Sequence, residues 1–344
     1  MTNARFTSFE RDVLASLAAD LTGTLGELLE GVRSVAILDY PFHLNCGDSM
    51  IFLGELRVLA DLGIKVREIS HLGSYDGHLH QSMPRDTVML FHGGGNFGDL
   101  YPVYQKFRLR ALVELRDFRC VVLPQSLHFS DAGKIEESRS ILEDHPDLTL
   151  TWRDRTSLEL AQRFFPESRS VLVPDAAFGL VPWRRRRLTL RTKSQVSVLA
   201  RSDGESTGLH SSVGFGTATG DWSLQSSEAF TVGFVSRVLR RKLRWLGPLR
   251  SPVRRRLYKF RSVCLAGAAA RQVSSTDILV TDRLHAAITA LLVGTDVIIV
   301  DSLDQKSRHL VDTWLPGDSV CLAASAQEAL DLAVTRSGPG PREH

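Results

Sequence analysis

At 344 residues the chain is longer than one hydrophobic core usually organises, so two domains are expected. Its 43% hydrophobic and 24% charged residues, with no apolar run of about eighteen, exclude a disordered, fibrous or membrane-spanning chain. The N-terminus lacks a basic region followed by an apolar stretch and a cleavage site, which points to a cytoplasmic protein. Cys46, Cys120, Cys264 and Cys321 are scattered, form no CxxC pair, and read as reduced structural thiols. The net charge of +3 is unevenly placed, with eleven Lys or Arg and no acid from Arg237 to Arg261 and a second cluster from Arg184 to Arg187.

The chain opens with helical periodicity from about Phe9 to Leu29, carried by Val13, Leu14, Leu17, Leu21, Leu25 and Leu28. SVAILDY is a buried strand, followed by a polar loop and the helix SMIFLGELRVLADLG. KVREIS is a second strand and HLGSYDGHLHQSMP a loop. TVMLFHGGG is a strand that runs into glycines, then a helix through Arg116. CVVLPQS, TLTWRD and SVLVPDAAF are further strands, with RTSLELAQRFF as a helix between the last two. Strands alternating with helices predict a parallel sheet. Pro182 to Arg187 breaks the pattern and reads as a linker, giving domains 1–182 and 188–330. In the second, QVSVLAR is a strand and Ser202 to Ser227 a Gly/Ser/Thr-rich mobile loop. A basic helical region broken at Pro248 and Pro252 comes next. It leads through RSVCLAGAAARQVSS to the strand DILVT, the helix AAITALLVG, the strand DVIIVD and one or two last helices. Residues 331–344 read as a flexible tail.

Several places carry the residue types that chemistry needs. At Asp282-Arg283-Leu284-His285 the strand DILVT meets an apolar helix. A helix N-terminus attracts anions, Arg283 adds a planar fork for phosphate or carboxylate, and His285 can exchange a proton near neutral pH. Arg201 ends the strand QVSVLA in the same way, so two guanidiniums converge on one anion if the two strands are neighbours. Asn45-Cys46-Gly47-Asp48 opens a helix, either as a simple cap or as a ligand loop. In His92-Gly93-Gly94-Gly95-Asn96-Phe97-Gly98-Asp99 the glycines fit GxGxxG, but the next strand ends in Pro124-Gln125-Ser126 rather than in an acid. A dinucleotide site is therefore rejected, which leaves either a glycine-lined crevice or a packing turn. Gly204 to Gly208 fits GxSxG without the strand–turn–helix that a nucleophile elbow requires. His71, His78 and His80 beside Asp76 read as a solvated loop rather than a metal site. Basic residues interleaved with Trp245, Tyr258 and Phe260 suit an anionic membrane surface better than nucleic acid, for which no motif is present.

Taken in order, NCGDS at Asn45, FHGGGNFGD at Phe91, LPQS at Leu123, WRDRTS at Trp152, VPDAAF at Val173, RSDGE at Arg201 and TDRLHA at Thr281, then VIIVD and Lys306, resemble the polysaccharide pyruvyltransferase family from about Val35 to Trp314. The resemblance implies an α/β fold of two Rossmann-like domains facing across a cleft, like that of two-domain (B-type) glycosyltransferases. It implies transfer of the enolpyruvyl unit of phosphoenolpyruvate to a sugar, closure as a cyclic ketal, and release of phosphate. Phosphoenolpyruvate is then a co-substrate, with no cofactor and no metal. Carried over from the family, the donor residues are Arg201, Arg283, Leu284 and His285, with His285, Arg283 and Arg201 as the catalytic set. RSDGE departs from the usual run, where Lys often stands at Gly204. The acceptor falls to the first domain through Asn45, Asp48, Gly93, Gly94, Gly95, Asn96 and Asp99, with Asp48 and Asp99 as candidate bases. A glycan or lipid-linked oligosaccharide is the expected acceptor, with Arg237 to Arg261 as a contact to the inner membrane face and no nucleic-acid partner. The rival readings are a nucleotide-sugar glycosyltransferase of similar architecture and a non-catalytic protein of glycan biosynthesis.

Overall fold

The computed structural model describes residues 8–181, 194–201, 209, 218–219, 222–241, 250–301, 305–315 and 320–337. Its first half runs α1 (Ser8–Leu28), β1 (Ser34–Leu38), α2 (Cys46–Asp61), β2 (Lys65–Ile69), α3 (Gly77–Gln81), β3 (Thr87–Phe91) and β4 (Gly94–Gly98). It continues with α4 (Pro102–Glu114), β5 (Cys120–His128), α5 (Ala132–Asp144), β6 (Leu148–Trp152), α6 (Arg155–Phe164), β7 (Arg169–Leu172) and a 3-10 turn at Ala176–Leu180. The strands pair in parallel in the order β2-β1-β3-β5-β6-β7, with β4 added to β5. The apolar runs read from the sequence are the reason for this arrangement. In β1, Ala36 and Leu38 join the core on one face of the sheet, and Val35 and Ile37 join the core on the other. A strand buried on both faces has no polar alternation.

The second half gives β8 (Ser194–Leu199), β9 (Ala218–Thr219), α7 (Ser226–Arg241), α8 (Arg250–Ser274), β10 (Thr276–Thr281) and α9 (Leu284–Val293). β11 (Asp296–Val300), α10 (Lys306–Trp314), β12 (Cys321–Ala323) and α11 (Ala326–Ser337) complete it. Its strands form a second parallel sheet, β12-β11-β10-β8-β9. Both sheets are Rossmann-like α/β. Gly294 closes α9 in the left-handed conformation, at φ 74°.

The chain divides into two compact units with a boundary at 180/181, close to the expected one, but two segments are exchanged between them. Residues 229–265 belong with 17–180, while 1–16, 181–228 and 266–344 form the other unit. The basic region is an arm of the first unit because several of its cations are built into that unit. Arg254 ion-pairs with Glu68. Arg261, 1% exposed, donates to the carbonyls of Pro41, Phe42 and His43. Tyr258 is buried against Tyr40. The expectation that this whole stretch faces a membrane is corrected for those three residues. Trp245 and the rest of 242–249 lie outside the described residues, as do Arg184 to Arg187.

Other differences are local. The stretch 202–227 contains the short strand β9 on β8 and the first turn of α7. The tail expected from 331 is helical to Ser337, with Ala333 buried. The loop holding His71, His78 and His80 forms the short helix α3, and His80 is fully buried with its ring against the Asp76 carbonyl. Among the described residues no His, Cys, Asp or Glu cluster is placed to hold a metal.

β4 was not foreseen, because GGNFG has no strand propensity. Its glycines are required by close approach: Gly98 has φ 118°, and a Cβ there would stand 1.7 Å from the His128 carbonyl oxygen. Gly98→Ala should therefore cost about 3 kcal/mol by overpacking and lower Tm by roughly 10 °C in thermal denaturation. An unchanged Tm would show that β4 yields there.

Candidate functional site

In an open parallel sheet, ligands bind where neighbouring strands send their connections to opposite sides. The first sheet has that switch between β1 and β3, and the second between β8 and β10. The residues singled out in the sequence gather at these two places.

At the second switch, Leu199 pairs with Thr281, so Arg201 and Arg283 leave adjacent strand ends two residues beyond one register pair. Asp282 ties the ends together, its Oδ1 accepting from the Arg201 backbone N–H at 2.8 Å. Arg283 is the N-cap residue of α9 and is 9% exposed. Its N–H donates to Thr281 Oγ1, and Thr281 Oγ1 donates to the Leu199 carbonyl. Leu284 is buried and His285 half-buried in the first helical turn. The neighbour relation required for two guanidiniums at one anion is therefore present in the backbone. Asp203, Glu205 and the GxSxG run Gly204 to Gly208 lie outside the described residues.

At the first switch, Leu38 pairs with Phe91, which places Asp39 and His92 next to each other at the carboxyl ends of β1 and β3. His92 is buried, and its Nδ1 meets the Glu55 carboxylate at 2.9 Å. The Gly93 N–H donates to the same carboxylate at 2.8 Å. Burial opposes charge on His92, but Glu55, with smaller help from Asp48 and Asp39, outweighs it and raises the imidazole pKa. Asp39 is buried in the left-handed region at φ 64°. Burial pushes its carboxyl up to about 6, against the opposite pull of Arg108 and His92. Arg108, also buried, lies 3.7 Å from Asp39 and donates to Asn96 Oδ1 and to Gln105 Oε1, both at 2.6 Å. Burial lowers the Arg108 pKa to about 10.

The acceptor-side residues divide between structural and crevice positions. Asn45 is a helix cap, its side chain accepting from the Gly47 N–H. Asp48 lies 3.3 Å from His43 Nε2 and borders Gly94, where a Cβ would come 3.7 Å from its Oδ1. Gly93 is packed against the Pro124 carbonyl, and Gly95 and Asn96 are half-buried. The Asn96 N–H donates to Gln125 Oε1, and Gln125 donates to the His92 carbonyl. Asp99 stands apart as a loop brace whose Oδ2 accepts from the N–H groups of Ser130 and Asp131. Burial raises its pKa, but these donors lower it further, so its net shift is downward, which suits a brace better than a base. Asp39, Glu55 and Arg108 were missed. The one available signal was a lone acid ending the apolar run SVAIL. His92 was visible in HGGGN, but Glu55 and Arg108 lie on helices, and no spacing announces that they turn toward it.

The fold defines a Rossmann-like α/β protein with Arg201 and Arg283 at a strand-end junction in one unit and a buried acid–imidazole pair in the other. The polysaccharide pyruvyl transferase family model matches residues 45–212. Pyruvyl transferase 1 of Schizosaccharomyces pombe is 29% identical over 89% of this chain and 75% of its own length. The putative pyruvyl transferase EpsO of Bacillus subtilis is 27% identical over 88% of this chain and 92% of its own. The crystal structure of a functionally uncharacterized Klebsiella pneumoniae protein superposes with a TM-score of 0.57 at 16% identity. It covers 94% of this chain and 100% of that one, and supports the fold.

The Asp39 carboxyl has a direct consequence for stability. The folded state holds its proton more tightly than the unfolded chain does, about 6 against 3.8. Its contribution is therefore fully present below pH 3.8 and is lost as pH rises through 6, on the order of 3 kcal/mol in all. Asp39→Asn removes that loss. Its Tm relative to wild type should rise between pH 4 and pH 7 in a calorimetric series, and a constant difference would contradict the shift.

Proposed function

We propose that the chain transfers the enolpyruvyl group of phosphoenolpyruvate to a sugar and closes it as a cyclic ketal with release of phosphate. The observation that carries this reading is the backbone adjacency of Arg201 and Arg283 at one switch point, beside the N-terminus of α9. Phosphoenolpyruvate presents a phosphate and a carboxylate. Two guanidinium forks and a row of helix N–H groups are suited to hold both. In this reading His285, in the first turn of α9, supplies the proton to the methylene carbon or holds the phosphate. The family-model match and the names of two relatives support pyruvyl transfer.

The acceptor side is the first unit. A polar pocket of 630 Å³ lies there, lined by His71, Tyr75, Asp76, Arg110, Glu114 and Arg240 among others. Burial, reinforced by Arg254, Arg240 and Arg261, lowers the His71 pKa to about 4 and keeps the ring neutral at physiological pH. Phe42 stacks on that ring with centroids 4.5 Å apart. A wall of aromatic and charged side chains of this size suits further sugars of a glycan.

The donor assignment is tested by the melting temperature with and without phosphoenolpyruvate, since a ligand of the folded state alone raises it. Wild type should shift upward and Arg283→Ala should not. A shift with a nucleotide sugar instead would favour the glycosyltransferase reading.

A membrane-linked acceptor is supported by one face of α8. Arg256, Lys259, Phe260 and Val263 are exposed at helical spacing, while Arg254, Tyr258, Arg261 and Leu265 are buried on the other side. A basic face with apolar side chains suits an anionic lipid surface. No helix among the described residues is long and apolar enough to cross a membrane. The triple variant Arg256→Ala, Lys259→Ala, Phe260→Ala should keep the wild-type Tm and lose co-sedimentation with vesicles containing phosphatidylglycerol. Unchanged sedimentation would remove membrane docking from the proposal.

A further inference from the structure

We propose that Asp39 and His92 form the seat for the reacting hydroxyl of the acceptor, with Asp39 taking its proton. This rests on the pyruvyl-transfer reading and deepens it, naming a base other than Asp48 and Asp99.

The first argument is hydrogen-bond satisfaction. Buried polar atoms in folded proteins have partners with few exceptions. At this one junction both Asp39 oxygens, His92 Nε2 and Arg108 Nε are buried without a partner at normal hydrogen-bond geometry, with the Asn96 side chain as a donor-bearing neighbour acting on Asp39. Arg108 stands 3.7 Å from Asp39, beyond a normal hydrogen bond. A purely structural ion pair would close that gap. The four atoms are two acceptors and two donors at a sheet switch point, where ligands enter such folds. A sugar hydroxyl donates and accepts at once, and it satisfies both kinds. A ketal also needs two hydroxyls of one sugar, and Asp39 offers two acceptor oxygens.

The second argument is strain. Asp39 is held at φ 64°, and Gln305 is the other non-glycine residue in the left-handed region among those described. Such a conformation is uncommon for a non-glycine residue, though Asp tolerates it better than most, and it is found at functional sites.

The third argument divides the roles. Glu55 holds His92 Nδ1 and favours the charged ring, which suits His92 to donate rather than to act as the base. Asp39 is ionised above about pH 6, and its desolvated carboxylate is a better base than an exposed one. Facing it are Arg108 from α4, His92 and Asn96 from the β3–β4 region, and Asp48 from α2, with Tyr104 of α4 influenced by both acids. Asp48 is paired with His43 and Asp99 braces its loop, so neither competes for the role.

The step balances as follows. The acceptor O–H gives its proton to Asp39 as its oxygen bonds to C2 of phosphoenolpyruvate, while C3 takes a proton. The C2–O bond to phosphate then breaks, and phosphate leaves with the electron pair. The second hydroxyl oxygen bonds to C2 and loses its proton. Of the two hydroxyl protons, one replaces the proton delivered to the new methyl group and one leaves on phosphate.

The test uses the full chain and a panel of p-nitrophenyl hexopyranosides. It compares wild type with Asp39→Asn and Asp39→Glu, and each variant is first checked for a native circular dichroism spectrum. Phosphate release with phosphoenolpyruvate should fall about a hundredfold or more in Asp39→Asn. The acidic limb of kcat/KM near pH 6 should vanish, and partial activity should return in Asp39→Glu. The phosphoenolpyruvate-induced Tm shift should persist, because the donor groups lie in the other unit. Glycoside binding by saturation-transfer NMR should weaken in Asp39→Asn. Release that keeps its rate and its acidic limb without Asp39 overturns the inference, and so does glycoside binding indifferent to Asp39. Binding that depends on Asp39, with no phosphate released by wild type, would overturn the phosphoenolpyruvate reading and leave the seat standing.

Discussion

The constraint on which everything else depends is the parallel pairing of β1 with β3, and of β8 with β10, at the points where connections diverge. Parallel pairing puts all carboxyl ends of a sheet on one edge. Divergence leaves a crevice there that no crossover helix covers. Asp39 and His92 project from one such point, and Arg201 and Arg283 from the other. The sequences of these strands are nearly interchangeable apolar runs. Register, rather than strand identity, decides which polar residues become neighbours.

Around the first switch the fold accepts charges in its interior and balances them pairwise. Glu55 compensates His92, and Arg108 is shared by Asp39, Asn96 and Gln105. Buried pairs of this kind are weak evidence for stability, because desolvation cancels much of the attraction. Their value here is positional. Glu55 fixes the imidazole through Nδ1, and Gln125 bridges the His92 carbonyl and the Asn96 N–H, so β3, β4 and β5 keep one geometry at the crevice. Glycines complete it by allowing β4 to lie against β5 at Gly98.

The arm formed by α7 and α8 shows why composition assigned residues 229–265 to the wrong unit. Eleven basic residues without an acid read as a solvated or lipid-facing stretch. The acid that answers Arg254 is Glu68, nearly two hundred positions earlier in the chain. The acceptors for Arg261 are backbone carbonyls, which no sequence pattern marks. Half of the α8 surface is thereby removed from solvent, and the other half keeps the basic and aromatic character that composition suggested.

The sequence by itself determined the α/β class, the alternation of strands and helices, and the strand-end positions of Arg201, Arg283 and His92. It could do so because apolar runs, caps and glycines act through neighbours a few residues away. The ordered motifs also carried the family resemblance. Tertiary structure alone decided that Asp39, Glu55 and Arg108 meet His92, that Asn45 caps a helix and Asp99 braces a loop, and that residues 229–265 join the first unit. Those outcomes depend on register and on charge pairing between residues far apart in the chain. A local pattern carries no record of either, because the same Asp or Arg is solvated or buried according to what the fold brings beside it.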